Sequence, residues 1–105
     1  MIVEIITQTH LNEAEFEFEW LDPSQYRYWR QREAFLIREG RLLKKTIVNN
    51  SPSQRTITMH WRDWDSYLDR HFDVGSRPIM DLMYREELFA GIESEVAVIE
   101  VPDVL

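Results

Sequence analysis

The sequence predicts an α+β domain, an antiparallel sheet with helices on one face, from its strand–helix–strand–strand–helix–strand order. The clearest observation is the segment Arg55–Phe72. There the apolar residues Ile57, Met59 and Trp61 alternate with polar ones, which indicates a half-buried strand. From Trp64 onward the apolar residues follow helical spacing, so this strand leads directly into a short helical turn.

The first strand is predicted over Met1–Thr9, a segment rich in β-branched residues. Ile2 and Ile6 lie on one face of this strand, and Val3 and Ile5 lie on the other. A strand that is apolar on both faces is typical of the centre of a sheet. We therefore expect helices on one side of it and a second covering surface on the other.

A second extended segment is predicted over Glu15–Trp20. Its aromatic residues Phe16, Phe18 and Trp20 alternate with glutamates, the pattern of a strand with one apolar face. The pattern fits either an additional short strand or a bulged continuation of the first strand.

Both long helices have recognisable boundaries. Asp22, Pro23 and Gln25 form a capping-box start, and Gly40 is expected to end the first helix. The second long helix is predicted over Arg77–Ala90, between Gly75-Ser76 and Gly91. The apolar face of the first helix is predicted to consist of Tyr26, Trp29, Leu36 and Ile37.

The remaining strands follow from alternating apolar residues and turn formers. Leu42–Val48 and Arg55–Trp61 are predicted to pair through the turn-rich loop 49–54. Glu95–Val101 is predicted as the last strand, which Pro102 ends.

Composition restricts the class of protein. The chain has 105 residues, no cysteine and a formal net charge of −7, so we expect one domain over residues 1–105 without disulfides or thiolate metal sites. The negative charge disfavours nucleic acid and anionic membranes, although Tyr26–Arg32 interleaves aromatic and basic residues as single-strand binders can. The sequence shows no leader and no apolar run long enough to span a membrane, so we expect a cytoplasmic protein.

The order of elements, with Trp61 ending the third strand and Tyr67 six residues later, resembles the dimeric α/β-barrel superfamily of ferredoxin-like proteins. Within it, the sequence resembles the antibiotic-biosynthesis-monooxygenase type. The resemblance implies a homodimer in which two sheets face each other in a closed barrel with the helices outside. The apolar residues on both faces of the first strand agree with such a second covering surface.

Haem-degrading members of this superfamily share an asparagine on the first strand and a tryptophan and a histidine after the third strand, and this sequence does not match them. The first strand offers Thr7, Gln8 and Thr9 instead of an asparagine. Asp69 and Arg70 stand where a tryptophan would align, and the histidine that follows comes too soon after the strand. The resemblance therefore implies no haem chemistry and leaves cofactor-free monooxygenases open, and we expect neither a cofactor nor a metal.

The polar candidates for proton transfer are His60, His71 and Tyr67. We expect a pocket between sheet and helices for a hydrophobic or aromatic small molecule. The alternative is a non-catalytic dimeric protein-interaction or accessory module, in which the aromatic residues only build the core. The predicted ligand-binding residues are Trp61, Trp64, Trp29 and Phe18.

Overall fold

An antiparallel sheet of four strands and a layer of three helices make up the parts of the chain that the computed structural model describes, residues 1–11 and 22–102. The strand order is β2-β3-β1-β4, which confirms the predicted α+β, ferredoxin-like βαββαβ fold. The segment Glu15–Trp20, with Phe18, lies outside the described residues. The elements are β1 (Ile2–His10), α1 (Pro23–Arg38), β2 (Leu42–Ser51), β3 (Gln54–Trp61), α2 (Trp64–Phe72), α3 (Ser76–Phe89) and β4 (Ile92–Glu100).

Strand β1 lies in the interior of the sheet, as its apolar residues on both faces predicted. Glu4 is paired with Met59 of β3 and with Val98 of β4. In strand β2, the pairing shifts by one residue between Leu42 and Lys44. Such a bulge changes which side chains share a face, and it places Lys45 beside the helices.

The helix boundaries confirm the predicted caps. Asp22 caps α1 in a capping box, and Gly40 follows α1 with φ of 69°, a left-handed conformation that glycine adopts without strain. The predicted apolar face is wrong at Tyr26 and Ile37, whose side chains are exposed. Helix α1 packs against α3 and β2 through a narrower face that includes Leu36.

The hydrophobic core is divided into two clusters. Ile2, Leu36, Leu42 and Trp61 form the first, where α1 meets the sheet. Ile79 and Met83 of α3 form the second, with Trp29 and Leu82 packed against them. Side chains of all three helices lie over the sheet face that carries Glu4 and Gln8.

The opposite sheet face has a different composition. Val3 and Ile5 of β1 lie there beside Ala97 and Ile99 of β4, with Thr58 and His60 of β3 on the other side. We call these six residues the open face, since the described helices lie on the other side of the sheet. None of the helices within the described ranges is long and apolar enough to cross a lipid bilayer.

Candidate ligand cavity

A cavity of about 120 Å³ lies between the sheet and the helices. Its walls are mainly aliphatic and thioether side chains. They come from β1, β3, β4 and α3, so the cavity occupies the space between the two core clusters. The principal apolar wall residues are Ile6, Ile57, Met59, Met80, Met83 and Val96.

A carboxylate and an imidazole meet at the wall of this cavity. Glu4 is only 1 % exposed, and its Oε2 atom lies 3.1 Å from Nε2 of His71. Its other carboxylate oxygen, Oε1, accepts a hydrogen bond of 3.2 Å from the indole nitrogen of Trp61. Both oxygens of the buried carboxylate therefore have partners, which offsets part of its desolvation.

The ring of Tyr67 packs against the imidazole of His71. Its ring centroid lies 4.4 Å from that of His71, and it also makes edge contacts with Trp61 and Trp64. Burial and the nearby Glu4 raise the pKa of the Tyr67 hydroxyl, so this side chain is neutral and not a ready base at neutral pH. We therefore regard Tyr67 as a positioning residue for His71.

Arg70 places a positive charge at the same wall. Its guanidinium carbon lies 3.5 Å from the centre of the Trp29 ring, and the residue is only 5 % exposed. Burial lowers the pKa of Arg70 to about 10, which still leaves it protonated at neutral pH. The sequence gives its neighbour His71 as a candidate but does not distinguish Arg70 from surface arginines.

A second polar network lies further along β1. The amide nitrogen of Gln8 donates to Glu87 at 3.0 Å, and its amide oxygen accepts a bond of 2.7 Å from Nε of Arg55. Ser94 also donates to Glu87, at 3.4 Å. Burial raises the pKa of Glu87, and burial with the nearby Glu4 raises the pKa of Tyr84 to about 12.

The structure brings some of the predicted site residues together and separates others. Trp29 and His71 line the cavity. Trp61 is completely buried and contributes a hydrogen bond to Glu4. Trp64 is 43 % exposed and contacts Tyr67 from outside. Phe18 lies outside the described residues.

His60 is not part of this cavity. It is paired with Val3 on the open face, on the other side of the sheet from His71. Its Nδ1 atom is buried without a hydrogen-bond partner among the described residues. Within those residues, no group of three or more histidine and carboxylate side chains could hold a metal ion.

The sequence reasoning missed the acidic partner of the histidine. Glu4 stands between Ile2 and Ile6 on the face of β1 that was predicted to contact the helices. A charged residue at such a position requires a partner in the core. The position of Glu4 between two apolar residues of the same face could therefore have identified it as a site residue.

Chemically, the arrangement is that of an oriented base beside an apolar space. An imidazole that donates its Nε2 proton to a carboxylate has an unprotonated Nδ1, which can accept a proton from a bound molecule. The carboxylate then stabilises the imidazolium that forms.

Comparison with known proteins finds similarity of fold to several solved structures. No family model matches the sequence, and no curated protein matches it. Among solved structures, a dimeric ferredoxin-like protein from an uncultured marine organism is similar with a TM-score of 0.64 and 10 % identity, over 100 % of this chain and 99 % of the other. SnoaB, a cofactor-independent oxygenase from Streptomyces nogalater, is similar with a TM-score of 0.56 and 16 % identity. The match covers 99 % of this chain and 95 % of SnoaB.

A protein from Deinococcus radiodurans assigned as an antibiotic biosynthesis monooxygenase is similar as well, with a TM-score of 0.57 and 12 % identity. The match covers 100 % of this chain and 96 % of that one. At these identities the likeness concerns the fold. The chain therefore has the ferredoxin-like fold of antibiotic biosynthesis monooxygenases and dimeric ferredoxin-like proteins, as the resemblance in its sequence predicted.

Proposed function

We propose that this protein is a homodimer in which each cavity binds a small aromatic molecule and removes a proton from it, as a cofactor-independent monooxygenase-like enzyme. The observation that carries the proposal is the buried Glu4–His71 pair at the wall of an apolar cavity. A buried carboxylate that orients an imidazole is a costly arrangement, and such groups are concentrated at functional sites.

The size and lining of the cavity support a single-ring ligand. In another protein, an apolar cavity of about 150 Å³ takes up benzene. The present cavity, at about 120 Å³, is of similar size, and the methionines in its wall adapt to the shape of a ligand. A larger molecule would place one ring inside and extend the remainder through the opening.

The proposed reaction begins with a proton transfer to His71. The proton comes from a carbon or hydroxyl that is acidified by the aromatic ring, and the resulting anion is electron-rich enough to react with O₂. Oxygen adds at the carbon, and loss of water leaves a carbonyl, so that CH₂ and O₂ give C=O and H₂O. SnoaB, which has a similar fold, is a cofactor-independent oxygenase, and this similarity supports the reaction class.

The open face supports the homodimer. Its aliphatic residues Val3, Ile5, Ala97 and Ile99 lie side by side on two adjacent strands. Burial of a few hundred Å² of such surface contributes several kcal/mol, at about 25 cal/mol per Å², before the cost of association. A similar structure is a dimeric ferredoxin-like protein. A second copy that packs sheet against sheet would also cover His60.

A titration with 4-nitrophenol tests the ligand site and the base together, because the anion of this single-ring phenol is coloured. We expect the wild type to bind it as the anion at a pH below the ligand's own pKa. His71→Asn should reduce the bound anion by about tenfold or more, since the base is lost. His60→Asn, a histidine replaced in the same way on the open face, should match the wild type.

Two results would contradict the proposal. Absence of bound nitrophenol in the wild type would exclude an aromatic site in the cavity. Equal anion formation in wild type and His71→Asn would exclude His71 as the base, provided that circular dichroism shows both proteins to be folded.

A non-catalytic module that binds another protein is the second candidate function. Four large apolar side chains near the ends of α2 and α3 favour it, because they are largely exposed: Phe72, Val74, Leu88 and Phe89. Two results together would favour this module over the enzyme: the wild type binds a partner protein but no aromatic probe, and Phe89→Ser no longer binds that partner.

A further inference from the structure

Arg70 is a buried cation without a close anionic partner among the described residues. Its Nη1 atom donates to the backbone carbonyl of Trp29 at 3.4 Å, and its Nη2 atom lies 4.0 Å from Oε2 of Glu33. Both distances are long for a guanidinium, whose charge-assisted hydrogen bonds are typically about 2.7–2.9 Å.

Other cations in the same molecule have closer partners. Lys45 lies 2.6 Å from Oε1 of Glu33, so the carboxylate nearest to Arg70 is already engaged by a shorter contact. Arg32, which is more exposed than Arg70, lies 2.6 Å from Asp69. The most deeply buried of these three cations thus has the weakest contacts, the reverse of what desolvation alone would select.

The surroundings fix the guanidinium in place. The Trp29 ring covers one face of it at 3.5 Å, and stacking does not itself engage the N–H donors along the edge of the guanidinium, whose contacts are the two long ones given above. Arg70 also lines the cavity, beside His71. A rigid, charged fork at the wall of an apolar cavity is suited to an anion that has two oxygens in one plane.

The charges around the cavity favour an anion as well. Among the described residues, the cationic side chains of Lys45, Arg55 and Arg70 line it, with the carboxylates of Glu4 and Glu87, and Glu33 pairs with Lys45. The chain as a whole has a net charge of −7, whereas cations and carboxylates are balanced around the cavity. This local concentration of cations favours an anionic ligand more than the rest of the protein surface does.

We infer that the cavity binds a small aromatic carboxylate, with the ring between the sheet and α3 and the carboxylate group on the guanidinium of Arg70. This inference names the substrate class for the proposed function and depends on the cavity binding a ring. It also explains the position of Trp29, which holds the guanidinium for the carboxylate.

Benzoate and benzamide test the inference, because they have nearly the same shape and differ in charge. We expect the wild type to bind benzoate at least about tenfold more tightly than benzamide, the ratio expected when a charged hydrogen bond replaces a neutral one. Arg70→Met should bring this ratio close to one. Arg77→Met removes an exposed arginine that pairs with Asp81, and it should keep the wild-type ratio.

Arg70→Lys provides a second variant in case the methionine variant does not fold. It keeps the charge but lacks the planar fork, so the preference for benzoate should fall at least about threefold without vanishing. Equal binding of the two probes to the wild type would overturn the carboxylate inference and leave the aromatic site standing. A preference that persists in both Arg70 variants would also overturn it, and failure of both probes to bind would contradict the proposed function itself.

Discussion

The two sides of strand β1 differ in polarity. Its helix-covered side is deeply buried and carries Glu4 and Gln8 among apolar residues. The open face, which the described helices do not cover, carries aliphatic residues such as Val3 and Ile5 at the equivalent central positions.

Polar groups lose hydration on burial, so Glu4 and Gln8 are costly on the covered side unless they have partners there. On the covered face the polar groups lie around the cavity, and on the open face no described helix lies over the aliphatic side chains of Val3, Ile5, Ala97 and Ile99.

The largest effect is expected for a charge on the open face. Ile5→Glu places a carboxylate opposite Thr58 and Ala97, where a second protomer would bury it. An unpaired buried charge costs several kcal/mol, so the dimer dissociation constant should rise by more than about 100-fold. Sedimentation equilibrium measures this change.

Ile37→Glu, on the exposed side of α1, is the matched control and should leave the association unchanged. A dimer that persists in Ile5→Glu would show that the open face is not the interface.

A smaller effect is expected on the covered face, from two tryptophans three residues apart. Trp61→Leu removes a fully buried ring and the donor to Glu4, and it should lower the free energy of unfolding by about 2 kcal/mol, less than complete truncation of such a side chain to alanine. Trp64→Leu should cost less than about 1 kcal/mol, because Trp64 is partly exposed. Urea denaturation compares the two, and equal losses would contradict the assignment of Trp61 to the core.

The start of α2, the helix that carries Arg70 and His71, provides a pH-dependent test. Asp63 caps this helix by accepting hydrogen bonds from the hydroxyl and backbone of Ser66, and these bonds lower its pKa to about 2 from 3.8. Asp63→Ala should therefore cost about 1 kcal/mol near neutral pH.

Because the pKa of Asp63 is lower in the folded state, its ionised carboxylate stabilises the fold above about pH 4, and this contribution is lost as the pH falls through about 2. The difference between wild type and Asp63→Ala in urea denaturation should shrink over that range. A difference independent of pH would contradict the role of the ionised cap.

The smallest effect concerns Glu87, on the covered face. Its pKa is raised by burial, so the folded state holds the proton more strongly than the unfolded state. Wild-type stability should therefore fall as the pH rises from about 4.5 through the folded-state pKa. Glu87→Gln should remove this fall and flatten the curve by less than about 1 kcal/mol above about pH 4.5. If the stability of Glu87→Gln falls with pH as steeply as that of the wild type, another titrating group causes the fall.

The sequence predicted the fold because its signals are local. Apolar alternation in Arg55–Trp61, the Asp22 capping box and the glycine after the first helix each depend on neighbouring residues, and the structure confirms all three. The predicted apolar face of α1 was too wide, because periodicity does not show how much of a helix its neighbours cover.

The site was predictable only in part, since it depends on contacts between residues far apart in the chain. His71 and Glu4 are 67 positions apart, and Arg70 meets Trp29 across 41 positions. The grouping of His60 with His71 shows the same difficulty. Strand register places His60 on the open face, and a pattern within one strand does not reveal which face the helices will cover.

A phenol titration followed by NMR of the methionine methyl groups tests whether an aromatic ring binds on the covered face. Met59, Met80 and Met83 line the cavity, and Met1 does not, so the chain contains its own control. A ring bound in the cavity should shift the three lining methyl signals through its ring current and leave that of Met1 in place. Unchanged lining signals, or a shift of Met1 alone, would show that the ring does not bind in the cavity.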